Sequence, residues 1–238
     1  MRKFLHRTCL CLLLTCGVLA AQDVDVTANV ELITSGKKKG LDPSNVVLWL
    51  SPVGDAPVPA FPPGSKPQLI QKNKSFIPHV LVVPVGAEVE FPNRDPFFHN
   101  VFSLFDGKRF DLGLYEAGTT RDVRFDRPGI SYIFCNIHAE MSAVVIALTT
   151  PYYGISNRRG QVTIPRVPSG RYTLRVWYEA ALPESLSSLT REVTVSEGGA
   201  AALGLLRLPA SSVPETHKNM YGRDYAPPTP GSPTYGHP

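Results

Sequence analysis

Cysteine is almost absent from this chain. Of its 238 residues only four are cysteine, and Cys9, Cys11 and Cys16 lie close to the N-terminus. Cys135 alone stands beyond them, so the body of the chain cannot be stapled by an internal disulfide. Charge is also sparse, at 18% of residues, against 43% hydrophobic residues, which excludes wholesale disorder and allows a packed core. No helical period of useful length runs through the chain, and 23 prolines break it at turns and in the tail. No internal repeat is present. Beyond the first twenty residues no stretch is long and apolar enough to span a bilayer.

The N-terminus supplies what the body lacks. Arg2, Lys3 and Arg7 precede an apolar run from Cys9 to Leu19, and the small residues Ala20 and Ala21 follow. That is the layout of a secretory signal peptide over residues 1–21, with a membrane anchor or a lipid-modified Cys16 as the competing readings. The expected location is periplasmic or secreted. Removing this leader takes the formal charge from +4 to about +1, which gives no electrostatic case for nucleic acid.

Most of the remainder reads as strands. VDVTANVELITS alternates apolar and polar residues, and VVLWLSPV is a buried run. A Pro-rich linker, residues 56–67, separates them from a block of short β-branched segments. There, strand patterns flank the turn Arg127-Pro128-Gly129 and end in the apolar run SAVVIALTT. From Pro151 a new series of strand and turn patterns runs to residue 209. Residues 210–238 are poor in apolar side chains and are expected to be disordered, because little burial is available to offset their ordering entropy. The expected class is all-β.

The soft side chains are concentrated in one place. FCNIHAEM holds Cys135, His138 and Met141 within one short stretch. Thiolate and thioether favour copper, and imidazole suits copper and zinc. Two histidines, one cysteine and a weak axial methionine form the ligand set of blue-copper centres, and FPNRDPFFHNVFS offers His99 as the second imidazole. Buried Cys135 as plain packing is the bland reading, and Met141 could equally fill the core ahead of a strand. Cys135 and His138 could also be a nucleophile and base, but no orienting group or oxyanion device accompanies them. Histidines for a multicopper cluster are missing too, so the chain is not read as an enzyme. His79 is expected to cap a turn or line the surface, and His217 and His237 to be solvated.

Residues 89–100, VEFPNRDPFFHN, and residues 132–141, YIFCNIHAEM, together resemble the cupredoxins. The ligand-loop spacing is most similar to amicyanin, with plastocyanin as a relative. The resemblance covers roughly residues 68–149, within a domain placed at 62–150. It implies a Greek-key β-sandwich and one type 1 copper ion cycling between Cu(I) and Cu(II). It assigns His99, Cys135 and His138 as equatorial ligands, Met141 as the axial ligand, and Asn100 as a brace for the thiolate. Ala139 stands where amicyanin-type loops have proline. By the same resemblance, Phe97, Ile137 and Ala139 would form an apolar patch where a redox partner, such as a cytochrome or a dehydrogenase, docks on a monomer. The implied role is one-electron transfer. Copper storage or delivery, or a structural surface β-protein with a vestigial site, are the alternatives.

Residues 160–178, GQVTIPRVPSGRYTLRVWY, resemble a carboxypeptidase regulatory-like, or transthyretin-like, β-sandwich. There Tyr172, Leu174 and Val176 share one face and Trp177 the other. This implies a discontinuous second domain, residues 23–60 plus 151–209, into which the copper domain is inserted. In the alternative, the early strands extend the cupredoxin sheet.

Overall fold

The computed structural model describes residues 23–33, 41–54, 58–104, 107–198, 201–211, 214 and 216–225. The expected leader, most of the polar connection after residue 33, and the end of the tail with His237 lie outside the described residues. The first strands are β1 (Val24–Ile33), β2 (Val47–Pro52), β3 (Ile70–Gln71), β4 (Phe76–Ile77), β5 (Val80–Pro84) and β6 (Glu88–Pro92). There follow β7 (His99–Ser103), β8 (Phe110–Tyr115), β9 (Thr120–Arg124), β10 (Gly129–Cys135) and β11 (His138–Leu148). The last are β12 (Tyr153–Ile155), β13 (Gln161–Val167), β14 (Gly170–Trp177), β15 (Arg191–Val195) and β16 (Ala201–Pro209). A six-residue helix, α1 (Pro183–Ser188), starts with Pro at its first position and takes over part of a segment whose sequence reads as strand. Among the described residues no helix is long and apolar enough to cross a membrane.

These strands form an all-β molecule with two main cores. The first core belongs to the ends of the chain. A three-stranded sheet, β13-β1-β16, faces a four-stranded sheet, β12-β2-β14-β15. Val26, Val30, Leu48, Leu50, Ile164, Leu174 and Leu208 fill the space between them. Both early strands pair only with strands that follow Pro151: β1 lies antiparallel to β13 and parallel to β16, and β2 lies between β12 and β14. Tyr172, Leu174 and Val176 turn into this core, as their alternation requires, and Trp177 turns away from it.

The second core belongs to the middle of the chain. A five-stranded sheet, β5-β11-β10-β7-β8, packs on the pairs β6-β9 and β3-β4. The chain leaves β5 for the opposite layer and comes back, so that β5 and β11 lie side by side in parallel. Phe91, Val101, Phe125, Ile133, Cys135, Met141 and Val145 are buried between the layers.

The outer face of the five-stranded sheet is covered as well. Val80, Val82, Val144, Ile146 and Leu148 from β5 and β11 meet Val47 and Trp177 from the other sandwich. β11 is therefore buried on both faces over most of its length, which is why its sequence reads as a continuous apolar run instead of an alternation. At the margin of this contact, His79 Nε2 lies 2.6 Å from the Glu179 carboxylate, and His79 Nδ1 faces the Ser142 carbonyl. The expected surface histidine is thus a polar clamp between the two sandwiches.

The hydrogen bond and charge of Glu179 raise the His79 pKa above its ordinary value. A raised histidine contributes stability in full below its unfolded pKa, about 6.5, and loses it as pH climbs through the folded value. Glu179→Gln should therefore lower the denaturation midpoint most at pH 6, with the gap from wild type narrowing by pH 9. A gap of equal size at both pH values would assign the loss to packing alone.

Candidate metal centre

The site sits where three strands of the five-stranded sheet end together. β10 and β11 are a hairpin closed by Asn136 and Ile137, with Cys135 opposite His138. A register shift between Phe134 and Cys135 frees the end of β10 from the regular ladder. On the other side β10 pairs with β7, placing Cys135 opposite Val101 and bringing the start of β7, His99, to the same end. Two strands, β8 and β9, separate His99 from Cys135 along the chain, and sheet pairing closes that gap.

The donor atoms converge. Cys135 Sγ lies 3.5 Å from His99 Nδ1 and 3.4 Å from His138 Nδ1. All three donors fall within 4.8 Å of one another. An ion bound to nitrogen and sulfur at about 2.0–2.3 Å, at a wide angle, separates those donors by about 3.5 Å, so the cluster already has the span of a coordination shell. Cys135 and His99 are fully buried and His138 is half-buried. Met141 is also fully buried, in the same core as Cys135, three residues after His138 along β11. Among the described residues no other group of three such donors comes together.

Electrostatics suit a cation. Burial lowers the pKa of both histidines, and His138, further depressed by the neighbouring His99 and Lys74, is pushed down to about 4. Both imidazoles are neutral near pH 7 and carry free lone pairs. Burial pushes the Cys135 thiol up, while the backbone N–H groups of Asn100, Ile137 and His138 around it work the other way. Those donors would stabilise a thiolate once a cation is present. The Asn100 amide faces the sulfur, and its carbonyl accepts the Asn136 N–H at 2.8 Å, tying the turn to β7. Its side chain points elsewhere, donating to Asp111 Oδ1 at 2.7 Å.

One residue of the site passed unnoticed in the sequence. Asp95, four positions before His99, is 4% exposed and lies with Oδ2 2.9 Å from His99 Nε2. Burial acts to raise its pKa, but the amides of Lys74 and Asn73 and the His99 ring outweigh it and hold the carboxyl below its ordinary value. An ionised carboxylate only accepts, so Nε2 must carry the imidazole proton and Nδ1 must present its lone pair to the site. The D-x-x-x-H spacing in RDPFFH was the available signal.

The apolar surroundings divide. The Phe97 ring packs 5.3 Å from His99 and 5.6 Å from His138, centroid to centroid, while Phe98 and Ile137 are exposed. Ala139 is half-buried, and its carbonyl accepts the His217 N–H at 2.9 Å. That contact shows residues 216–225 packed where disorder was expected; residues 226–238 lie outside the described residues. Residues 216–225 are seated against the ligand turn, and the half-buried His217 ring packs, tilted, on Phe134 at 4.6 Å between centroids. Low apolar content argued for disorder, but here backbone hydrogen bonds and ring contacts to an existing surface replace a core of the segment's own.

An all-β sandwich that buries a thiol between two neutral imidazoles has a group that could hold a metal ion, and this donor set fits copper. Comparison with solved structures finds copper proteins of the cupredoxin kind. A purple cupredoxin from Nitrosopumilus maritimus is 23% identical over 34% of this chain and 99% of its own, with a TM-score of 0.32. A copper-containing nitrite reductase from Thermus scotoductus SA-01 is 23% identical over 49% of this chain and 28% of its own, at 0.34. A reduced tryptophan variant of amicyanin is 18% identical over 36% of this chain and 85% of its own, at 0.33. No family model matches the chain, and no curated protein matches it.

Replacing Asp95 with Ala removes the acceptor that sets the His99 tautomer. Copper affinity, read by competition against a chelator, should fall by about 10- to 100-fold. An unchanged affinity would show that Asp95 serves only the turn at Asn73 and Lys74.

Proposed function

We propose that this chain is an exported, non-enzymatic carrier of single electrons that uses one type 1 copper ion held by His99, Cys135, His138 and Met141. The convergence of Cys135 Sγ with the two Nδ1 atoms inside a β-sandwich carries this reading. When bound, copper supplies the Cu(I)/Cu(II) couple. The chain's own residues do the rest. Two strand ends and a tight turn hold the donors, so a change of charge meets a scaffold with little freedom to rearrange. Burial excludes water from Cys135, and Met141, buried in the same core, is the weak thioether ligand of this reading.

His138 is the half-buried ligand; Ile137 beside it stands exposed, the Phe97 ring lies 5.6 Å from it, and Ala139 follows it, half-buried. That apolar edge suits brief docking of a redox protein, such as a cytochrome or a dehydrogenase, onto a monomer. Storage or delivery of copper would favour an open, exchangeable site, and three fully buried ligand residues do not provide one. The outer sandwich, which resembles a carboxypeptidase regulatory-like domain, shows no donor cluster among the described residues and serves as a supporting or docking module. The leader would direct the chain to the periplasm or out of the cell.

Titration of the leaderless protein with Cu(II), followed by visible and electron-spin-resonance spectra, tests this. An intense thiolate-to-copper band with narrow hyperfine splitting, bleached by a mild reductant, is expected. A colourless or Cu(I)-only complex would instead favour copper handling. Cys135→Ser should abolish the band while the fold persists, and Met141→Leu should keep colour but shift the reduction potential upward. A blue Cys135→Ser protein would sink the ligand assignment.

A further inference from the structure

The segment 216–225 returns to the ligand turn from beyond both sandwiches, and its contacts are concentrated there. The His217 N–H donates to the Ala139 carbonyl at 2.9 Å, and His217 Nε2 faces the His138 carbonyl at 3.2 Å. The Met220 N–H donates to Asn136 Oδ1 at 2.9 Å, and the Tyr225 hydroxyl donates to the Cys135 carbonyl at 2.8 Å. The His217 ring packs, tilted, on Phe134 and meets the Tyr225 ring edge-on at 5.6 Å. Asn219 shapes the segment from within, its side chain accepting the amides of Tyr221 and Arg223 at 3.0 Å each.

The acceptors are informative. They are the backbone carbonyls of two metal-site residues and of Ala139, together with the side chain of Asn136 in the turn itself. This is also where the β10–β11 ladder is irregular, between Phe134 and Cys135, so carbonyls there depend on partners outside the hairpin. The tail supplies those partners. Phe98 and Ile137, next to His99 and Asn136 in the chain, remain exposed.

We propose that residues 216–225 are a strap that holds the ligand turn in its metal-ready shape, with His217 and Tyr225 as positioning residues. The strap opposes opening of the turn, the motion through which a buried ion would have to leave, and it limits movement of the Cys135 and His138 backbone when the site changes charge. Its metal-release consequence rests on the copper reading; its effect on the turn does not.

The test compares the full leaderless chain with a chain ending at Ser211, which keeps β16, and with Tyr225→Phe and His217→Ala. Amide hydrogen exchange of residues 136–142 is measured without metal, and copper release to a chelator is measured after loading with Cu(II). Truncation should speed exchange of the turn and copper release by roughly tenfold or more, and Tyr225→Phe by roughly threefold, while amides of β1 and β16 keep their protection. Unchanged exchange in the turn for all three variants would overturn the strap. Should truncation unfold the protein, the two point variants decide by the same criterion. If the full chain binds no copper, exchange in the metal-free protein still decides, so the strap and the electron-carrier reading fail separately.

Discussion

The pairing of β10 with β11 across the two-residue turn is the constraint on which the rest depends. It sets Cys135 opposite His138, and it carries Met141 into the core of the middle sandwich. The same hairpin receives β7 on one side, which delivers His99, and β5 on the other, which extends the sheet toward the outer sandwich. A one-residue slip of this register would turn Met141 out of the core and separate Cys135 from both imidazoles. The apolar residues on both faces of β11 make such a slip costly, because Val144 and Ile146 serve one core while Ala143 and Val145 serve the other.

The chemistry of the site follows from where that hairpin ends. A thiol and two imidazoles placed deep in apolar surroundings are all driven toward neutrality. A neutral cluster is tolerable in a core, yet it presents nitrogen lone pairs and an ionisable sulfur at coordinating distance. Asp95 adds the one nearby buried negative charge. It is kept ionised by two backbone amides and is aimed at the far nitrogen of His99. The hairpin tip at Asn73 and Lys74, with both residues in left-handed backbone conformation, is thereby coupled to the metal centre through a single carboxylate.

The two sandwiches are packed together, with Trp177 and Val47 of one against β5 and β11 of the other. The outer sandwich takes its strands from both ends of the chain, so the middle sandwich is inserted between β2 and β12 and held at both of its ends. Past β16, the last strand of the outer sandwich, the Ser211 N–H donates to the Ala180 carbonyl, and Pro214 lines a pocket with His79 and Glu179. The outer module therefore meets the middle sandwich through its core contact, and residues 216–225, beyond its last strand, meet the ligand turn.

Much of the site was legible in the sequence for a local reason. Cys135, His138 and Met141 lie within one hairpin, so a two-residue turn is enough to set Cys135 opposite His138, and short-range geometry carries the signal. His99 was legible because a soft-ligand set lacked a second imidazole and one stood ahead of a strand pattern. Asp95 was not read, since an exposed turn aspartate and a buried one have the same sequence, and burial is conferred by the β3–β4 hairpin folding over it. The parallel pairing of β1 with β16, the covering of both faces of β11 and the docking of His217 and Tyr225 join residues far apart in the chain. Composition and periodicity report which residues want to be buried and in what local conformation, so by itself the sequence determined the strands and the ligand chemistry. Which surfaces meet, and so which carbonyls, carboxylates and rings complete the site, was decided only by tertiary packing, because those partners are selected by proximity in space and leave no periodic trace along the chain.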